Sequence, residues 1–173
     1  MGWKKMVSIT LTVIAIHSCC IPVLQKKFYT TEYGSYRPIK NKFRIANKNT
    51  KSQSKASILN NIYTRVDSVY IKKVKSKKKE LKIINSFKRF FPDGQFLEGT
   101  TKDIKNGLKD YNNLKSGVIG YYKIEKNKII LEQFLVTPHD CGKYYIYELE
   151  IKEDSIEGYS KVKVKGLTGT PDW

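Results

Sequence analysis

The sequence predicts a mainly β protein. The expected architecture is an antiparallel meander, either a curved sheet or a small up-and-down barrel, with one short helix and an irregular amino-terminal segment. Three observations carry this. KYYIYELEIK sets Tyr145, Tyr147, Leu149 and Ile151 on one face and Tyr144, Ile146, Glu148 and Glu150 on the other. That two-residue period marks a strand with unlike faces. Short aromatic-rich runs alternate with tight turn signals, PDG at 92–94, KN at 126–127 and EDS at 153–155. Only residues 101–117 show helix-like apolar spacing.

The elements follow in order. ILNNIYTRVDSVYIKKV contains a predicted strand over 67–74, where Val69, Ile71 and Lys73 alternate with Tyr70 and Val74. SKKKE is a charged turn, and LKIINSFKRFF is the second strand. Pro92 presets φ and Gly94 accepts φ > 0, so QFLEG returns and residues 90–97 form a hairpin. In TKDIKNGLKDYNNLKSG, Thr101 is placed to cap a helix carrying Ile104, Leu108 and Tyr111. Asn106-Gly107 interrupts it, so a short helix or an ordered loop is expected. GVIGYYKIE and KIILEQFLV pair across the KN turn. KYYIYELEIK follows TPHDCG, and IEGYSKVKVKG returns from the EDS turn.

The start of the chain has a different texture. Lys4 and Lys5 form a positive patch, and an uncharged apolar run follows from position 7 to 16. That length suits the core of an export signal. Ile16-His17-Ser18-Cys19 then resembles the lipobox of bacterial lipoprotein signal peptides, with a branched residue three before the cysteine and a small one just before it. The resemblance implies that Cys19 carries diacylglycerol, that cleavage falls between Ser18 and Cys19, and that the new amine is acylated. Several acyl chains anchor stably where a single chain does not. Cys20 is the competing lipid site, with His17 and Cys19 at the specificity positions. A plain secretory signal would want an Ala-x-Ala-like cut, and Ile-His-Ser is a poor one. A membrane-spanning helix needs about 20 apolar residues. The uncharged run from 6 to 24 is diluted by Ser8, Thr10, Thr12, His17, Ser18 and Pro22.

This divides the chain into a signal peptide at 1–18, a lipid anchor and basic tether at 19–57, and an antiparallel β domain at 58–173. Residues 24–57 are rich in Lys, Asn, Ser and Thr and lack a sustained period. Phe28, Tyr29, Tyr33, Tyr36, Phe43 and Ile45 make part of the tether aromatic enough to lie on the domain. The formal net charge is +17. Residues 24–91 carry 19 Lys and Arg against Glu32, Asp67 and Glu80, whereas residues 92–173 carry 12 basic and 13 acidic side chains. Nearly all these cations are lysine, and no nucleic-acid motif accompanies them. The functional reading of this charge is attraction to anionic lipid head groups, at about 1 kcal/mol per lysine near such a surface, and not to nucleic acid. A solvated lysine-rich face that keeps the protein soluble is the competing reading.

FKRFFPDGQF followed by GYYKIEKNKIILEQF resembles the lipocalin-like β-meander domains of small exported lipoproteins in diderm bacteria. The match covers roughly residues 67–166, and the lipocalin Gly-x-Trp fingerprint is absent: Trp3 and Trp173 stand at the two ends. The resemblance implies a cup holding a small apolar ligand. Tyrosines on its strands, Tyr122, Tyr145 and Tyr147, are the candidate ligand contacts, because pockets favour aromatics with polar tips. Ordinary core and strand-surface tyrosines are the plainer reading.

Chemistry has few candidates. His139-Asp140-Cys141 gathers catalytic residue types, but adjacent residues seldom form a nucleophile, base and orienter. A polar turn with an incidental thiol is expected there. Neither metal nor cofactor is expected, since a zinc site wants about four ligands. Glu125, Glu132, Glu148, Glu150 and Glu157 fit cross-strand pairing with lysines. Cys20 and Cys141 could pair, but one pair is no disulfide framework, and none is expected to be essential. The expectation is a non-enzymatic envelope lipoprotein, in an outer membrane facing the periplasm. It either holds a small apolar ligand or, alternatively, binds another envelope component as a structural or assembly protein.

Overall fold

A computed structural model describes residues 27–46, 58, 61–72, 79–137, 140–153 and 155–173. Residues 1–18, expected to be a signal peptide, and Cys19 and Cys20 lie outside the described residues. The short strands β1 (Phe28–Thr30) and β2 (Tyr36–Pro38) form a small hairpin. The main sheet contains β3 (Ile62–Lys72), β4 (Lys79–Phe90), β5 (Gln95–Thr101), β6 (Val118–Glu125), β7 (Lys128–Leu135), β8 (Lys143–Lys152), β9 (Ser155–Ile156) and β10 (Ser160–Val162). A single turn of helix, α1 (Leu108–Tyr111), lies between β5 and β6.

The eight strands run in the order β10-β3-β4-β5-β6-β7-β8-β9, every neighbour antiparallel. β9 and β10, at the two ends of this order, touch. The sheet is thus nearly closed into a barrel, the expected antiparallel meander with one short helix.

The sheet buries residues on both of its faces. The inner face carries one core, including Tyr63, Phe90, Phe96, Tyr122, Ile129 and Leu131. The outer face carries another, built on Ile62, Phe87, Phe91, Leu97, Ile119 and Phe134. Three pieces outside the main sheet cover the outer core: residues 27–46 with their β1–β2 hairpin, the helical turn that carries Tyr111, and the carboxy-terminal stretch ending at Trp173. Phe43 is 1% exposed and Ile45 8%, so much of the presumed tether belongs to the domain. Arg37 fastens it, donating to the carbonyls of Leu114 at 3.0 Å and Gly117 at 2.8 Å. Glu132, fully buried on β7, accepts a bond from the Ile45 amide at 2.9 Å.

Local departures have local causes. β3 starts at Ile62, five residues before the predicted start. Ile62 is buried on the outer face and Tyr63 on the inner face, so no alternation announces the strand. The helix starts at Leu108. Thr101 caps nothing there; it ends β5, and its Oγ1 accepts from the Asp103 amide in a local turn. Gly120 is required by close approach. A Cβ at this position would stand 2.2 Å from the Glu132 carbonyl oxygen and 2.4 Å from the Phe96 ring.

Candidate functional site

Two features of the barrel are candidates for function: the mouth of the inner face and a ribbon that projects from the sheet.

On the inner face, register places Lys88 of β4 opposite Tyr63 and Glu98. Lys88 is 1% exposed. A buried ammonium is costly unless paired. Here Nζ donates to Glu98 Oε2 at 2.5 Å and to the Tyr147 hydroxyl at 2.9 Å. It also lies over the rings of Phe96, Tyr147 and Tyr159 at 5.3–5.8 Å, a further source of cation stabilisation. Burial lowers its pKa, and Glu98 opposes that shift. The Tyr147 hydroxyl donates to Gln133 Oε1 at 3.3 Å, and burial raises its pKa. Nearer the rim, Arg65 pairs with Asp67 at 3.0 Å and lies over Tyr159. Burial pushes the Tyr159 hydroxyl up to about 12. The inner face therefore passes from a packed apolar floor to a polar, mutually paired layer.

The three candidate tyrosines separate in this setting. Tyr122 is 1% exposed, and its hydroxyl donates to the Phe91 carbonyl at 2.8 Å. Its role is structural, in the floor. Tyr147 belongs to the Lys88 cluster. Tyr145 shares the inner-face parity of Tyr147 and is 38% exposed. Sequence reasoning passed over Lys88, although its alternation with Phe90 already sets it on the same face.

The second feature is the β3–β4 hairpin. β10 pairs β3 only as far as Thr64, and β5 pairs β4 only as far as Asn85. Beyond those points β3 and β4 pair with each other out to Lys72 and Lys79. At about 3.4 Å per residue this makes a two-stranded ribbon roughly 20 Å long. One face of it carries Val66, Tyr70, Leu81 and Ile83, which are 60%, 69%, 51% and 63% exposed. Tyr70 and Leu81 are cross-strand partners, and Ile83 and Val66 lie beside Ser68 and Asn85 on the same face; four large exposed apolar side chains so close together are an apolar patch, where single scattered ones would mean nothing.

The remaining candidates shrink. His139 lies outside the described residues. Asp140 organises a turn, accepting from the Thr137 hydroxyl at 2.6 Å and the Gly142 amide at 2.9 Å. The Thr137 hydroxyl, above all, holds its carboxyl below the usual range. Cys141 is disulfide-bonded, so its sulfur is not an incidental free thiol. The sequence offers only Cys19 and Cys20 as intrachain partners. Among the described residues no group of three His, Cys, Asp or Glu could hold a metal, and no helix is long and apolar enough to cross a membrane. No family model, curated protein or solved structure matches the chain.

Proposed function

We propose that the protein is a non-enzymatic envelope lipoprotein, anchored through Cys19, that presents its β3–β4 ribbon to another envelope protein. The observation that carries this is the exposed face of Val66, Tyr70, Leu81 and Ile83, shared with Ser68 and Asn85, on a projecting ribbon. Apolar surface of that kind is costly in water and is relieved by docking. The assembly role is favoured over a small apolar ligand because Phe96, Tyr122 and Leu131 pack the floor of the cup and the Lys88 layer above it is polar. The anchor reading rests on the lipobox resemblance, and the outer membrane facing the periplasm is proposed because residues 20–27 carry no acidic surface-export signal.

Native gels of detergent-solubilised envelopes test the docking role. The wild-type chain runs in a complex larger than its monomer. Tyr70→Asp with Ile83→Asp runs as the monomer while its melting temperature stays within about 2 °C, as expected for exposed positions. A monomeric wild type, or a complex that survives both substitutions, would overturn the reading.

A further inference from the structure

Lys27, Lys40 and Lys42 gather around a groove of about 270 Å³ whose apolar wall is Ile39, Phe134 and Tyr144. Among the described residues no carboxylate lines it. Glu132, two residues before Phe134 on the same face of β7, is fully buried and accepts from the Ile45 amide; its charge reaches Tyr144, but it does not line the groove. None of the three lysines forms an ion pair among the described residues. Elsewhere lysines do find carboxylates: Lys88, Lys115, Lys123, Lys128 and Lys152 are all paired.

The groove is held in shape by its own frame. The Tyr144 hydroxyl donates to the Lys40 carbonyl at 2.9 Å and accepts from the Lys42 amide at 3.3 Å. One side chain thus fixes the backbone of both lysines against β8. Phe43 packs edge-on to the Tyr144 ring at 4.8 Å. The Ile39 amide donates to the Lys27 carbonyl at 2.9 Å, which brings the third lysine to the rim. At Gly142, with φ 89°, a Cβ would stand 2.3 Å from the Phe134 ring, so only glycine closes this wall.

We infer that this groove binds the phosphate-bearing head group of an anionic membrane phospholipid, with the apolar wall taking the adjoining glycerol and first methylenes. Three unpaired cations beside an apolar wall select a ligand that is anionic at one end and apolar at the other. The source of that ligand rests on the lipid-anchor reading. Gly142 follows Cys141, which is disulfide-bonded, and Cys19 and Cys20 are the only other cysteines. A lipidated Cys19 has no thiol to share, so Cys20 is the partner left for Cys141. The adjacent cysteines then divide the work: one holds the lipid, and the other draws the lysine groove to the bilayer surface. Each lysine contributes about fivefold to affinity for an anionic surface.

The test uses the full mature chain in nanodiscs. Amine acetylation is followed by mass spectrometry at Lys27, Lys40 and Lys42, with Lys105 and Lys126 as controls that do not line the groove. In phosphatidylglycerol discs the three groove lysines react about fivefold or more slowly than in phosphatidylcholine discs, and the controls are unchanged. Inorganic phosphate added to phosphatidylcholine discs gives no such protection. Lys40→Gln with Lys42→Gln removes the protection at Lys27. Equal labelling in the two discs, equal protection of the controls, or full protection by free phosphate would each overturn the inference. Failure to associate with phosphatidylcholine discs would instead count against the anchor, and protection by phosphatidylglycerol remains readable in that case.

Discussion

Lys88 and Glu98 are unequal partners, and removing each has a different cost. The Lys88 side chain is 2% exposed and that of Glu98 is 28% exposed. Lys88→Met replaces the cation with an apolar chain of similar length among Phe96, Tyr147 and Tyr159. Glu98 loses its Lys88 donor but keeps access to water and to the Tyr147 hydroxyl at 3.5 Å. The loss is then about one charge-assisted hydrogen bond, roughly 2 kcal/mol. Glu98→Leu leaves an ammonium sealed under aromatic rings with only the Tyr147 hydroxyl to receive it. Breaking a buried pair from that side costs about 3–5 kcal/mol. In a domain of this size that lowers the melting temperature by about 6–20 °C. The double variant Lys88→Met/Glu98→Leu removes both charges and recovers much of the larger loss, because pair members are not additive. Thermal unfolding followed by circular dichroism on the three variants decides the matter. A Lys88→Met variant less stable than Glu98→Leu, or a double variant whose loss equals the sum of the two, would refute this account of the inner face.

Gly120→Ala forces a Cβ against the Glu132 carbonyl and the Phe96 ring; overpacking of this kind costs about 1–3 kcal/mol, read as a lower denaturant midpoint with an unchanged slope. Arg37→Ala leaves the Leu114 and Gly117 carbonyls without their donor and costs about 1–3 kcal/mol, with new protease cuts confined to residues 27–46. Burial raises the Tyr122, Tyr147 and Tyr159 hydroxyls above their ordinary 10.0. The unfolded phenols release their protons first, so their contribution is complete below pH 10 and is lost as pH rises toward 12. Lys88, with its lowered pKa, acts in the opposite sense; in a tyrosinate absorbance titration the share due to these three buried tyrosines should nonetheless rise only in step with unfolding, and ionisation of all tyrosines near pH 10 in the folded state would contradict the burial.

The strands with unlike faces were the legible ones. β8 (Lys143–Lys152) and β7 (Lys128–Leu135) fall where their turns and rhythm placed them. Around Ile62 the sheet is covered on both sides, so the period that identifies a strand disappears. The outer layer was hard to read for a related reason. Residues 27–46 and the stretch ending at Trp173 are mostly irregular and have no period, yet they bury Phe43 and supply the carbonyls that Gln95 and Arg89 require. Buried cations hid behind composition. In FKRFF, Lys88 and Arg89 read as surface charge, but they face opposite cores, Lys88 to Glu98 inward and Arg89 to the Tyr111 and Thr168 carbonyls outward. The ribbon's apolar face could not be recognised without knowing where the neighbouring strands stop.

The central claim is a lipid on Cys19 and, with it, a disulfide between Cys20 and Cys141. Non-reducing peptide mapping by mass spectrometry of the protein from its own membranes reads both at once. The account predicts a mature chain that begins at Cys19 with diacylglycerol on its sulfur, linked through Cys20 to the peptide containing Cys141. A Cys19–Cys141 disulfide, or an amino-terminal peptide carrying no lipid, would contradict it.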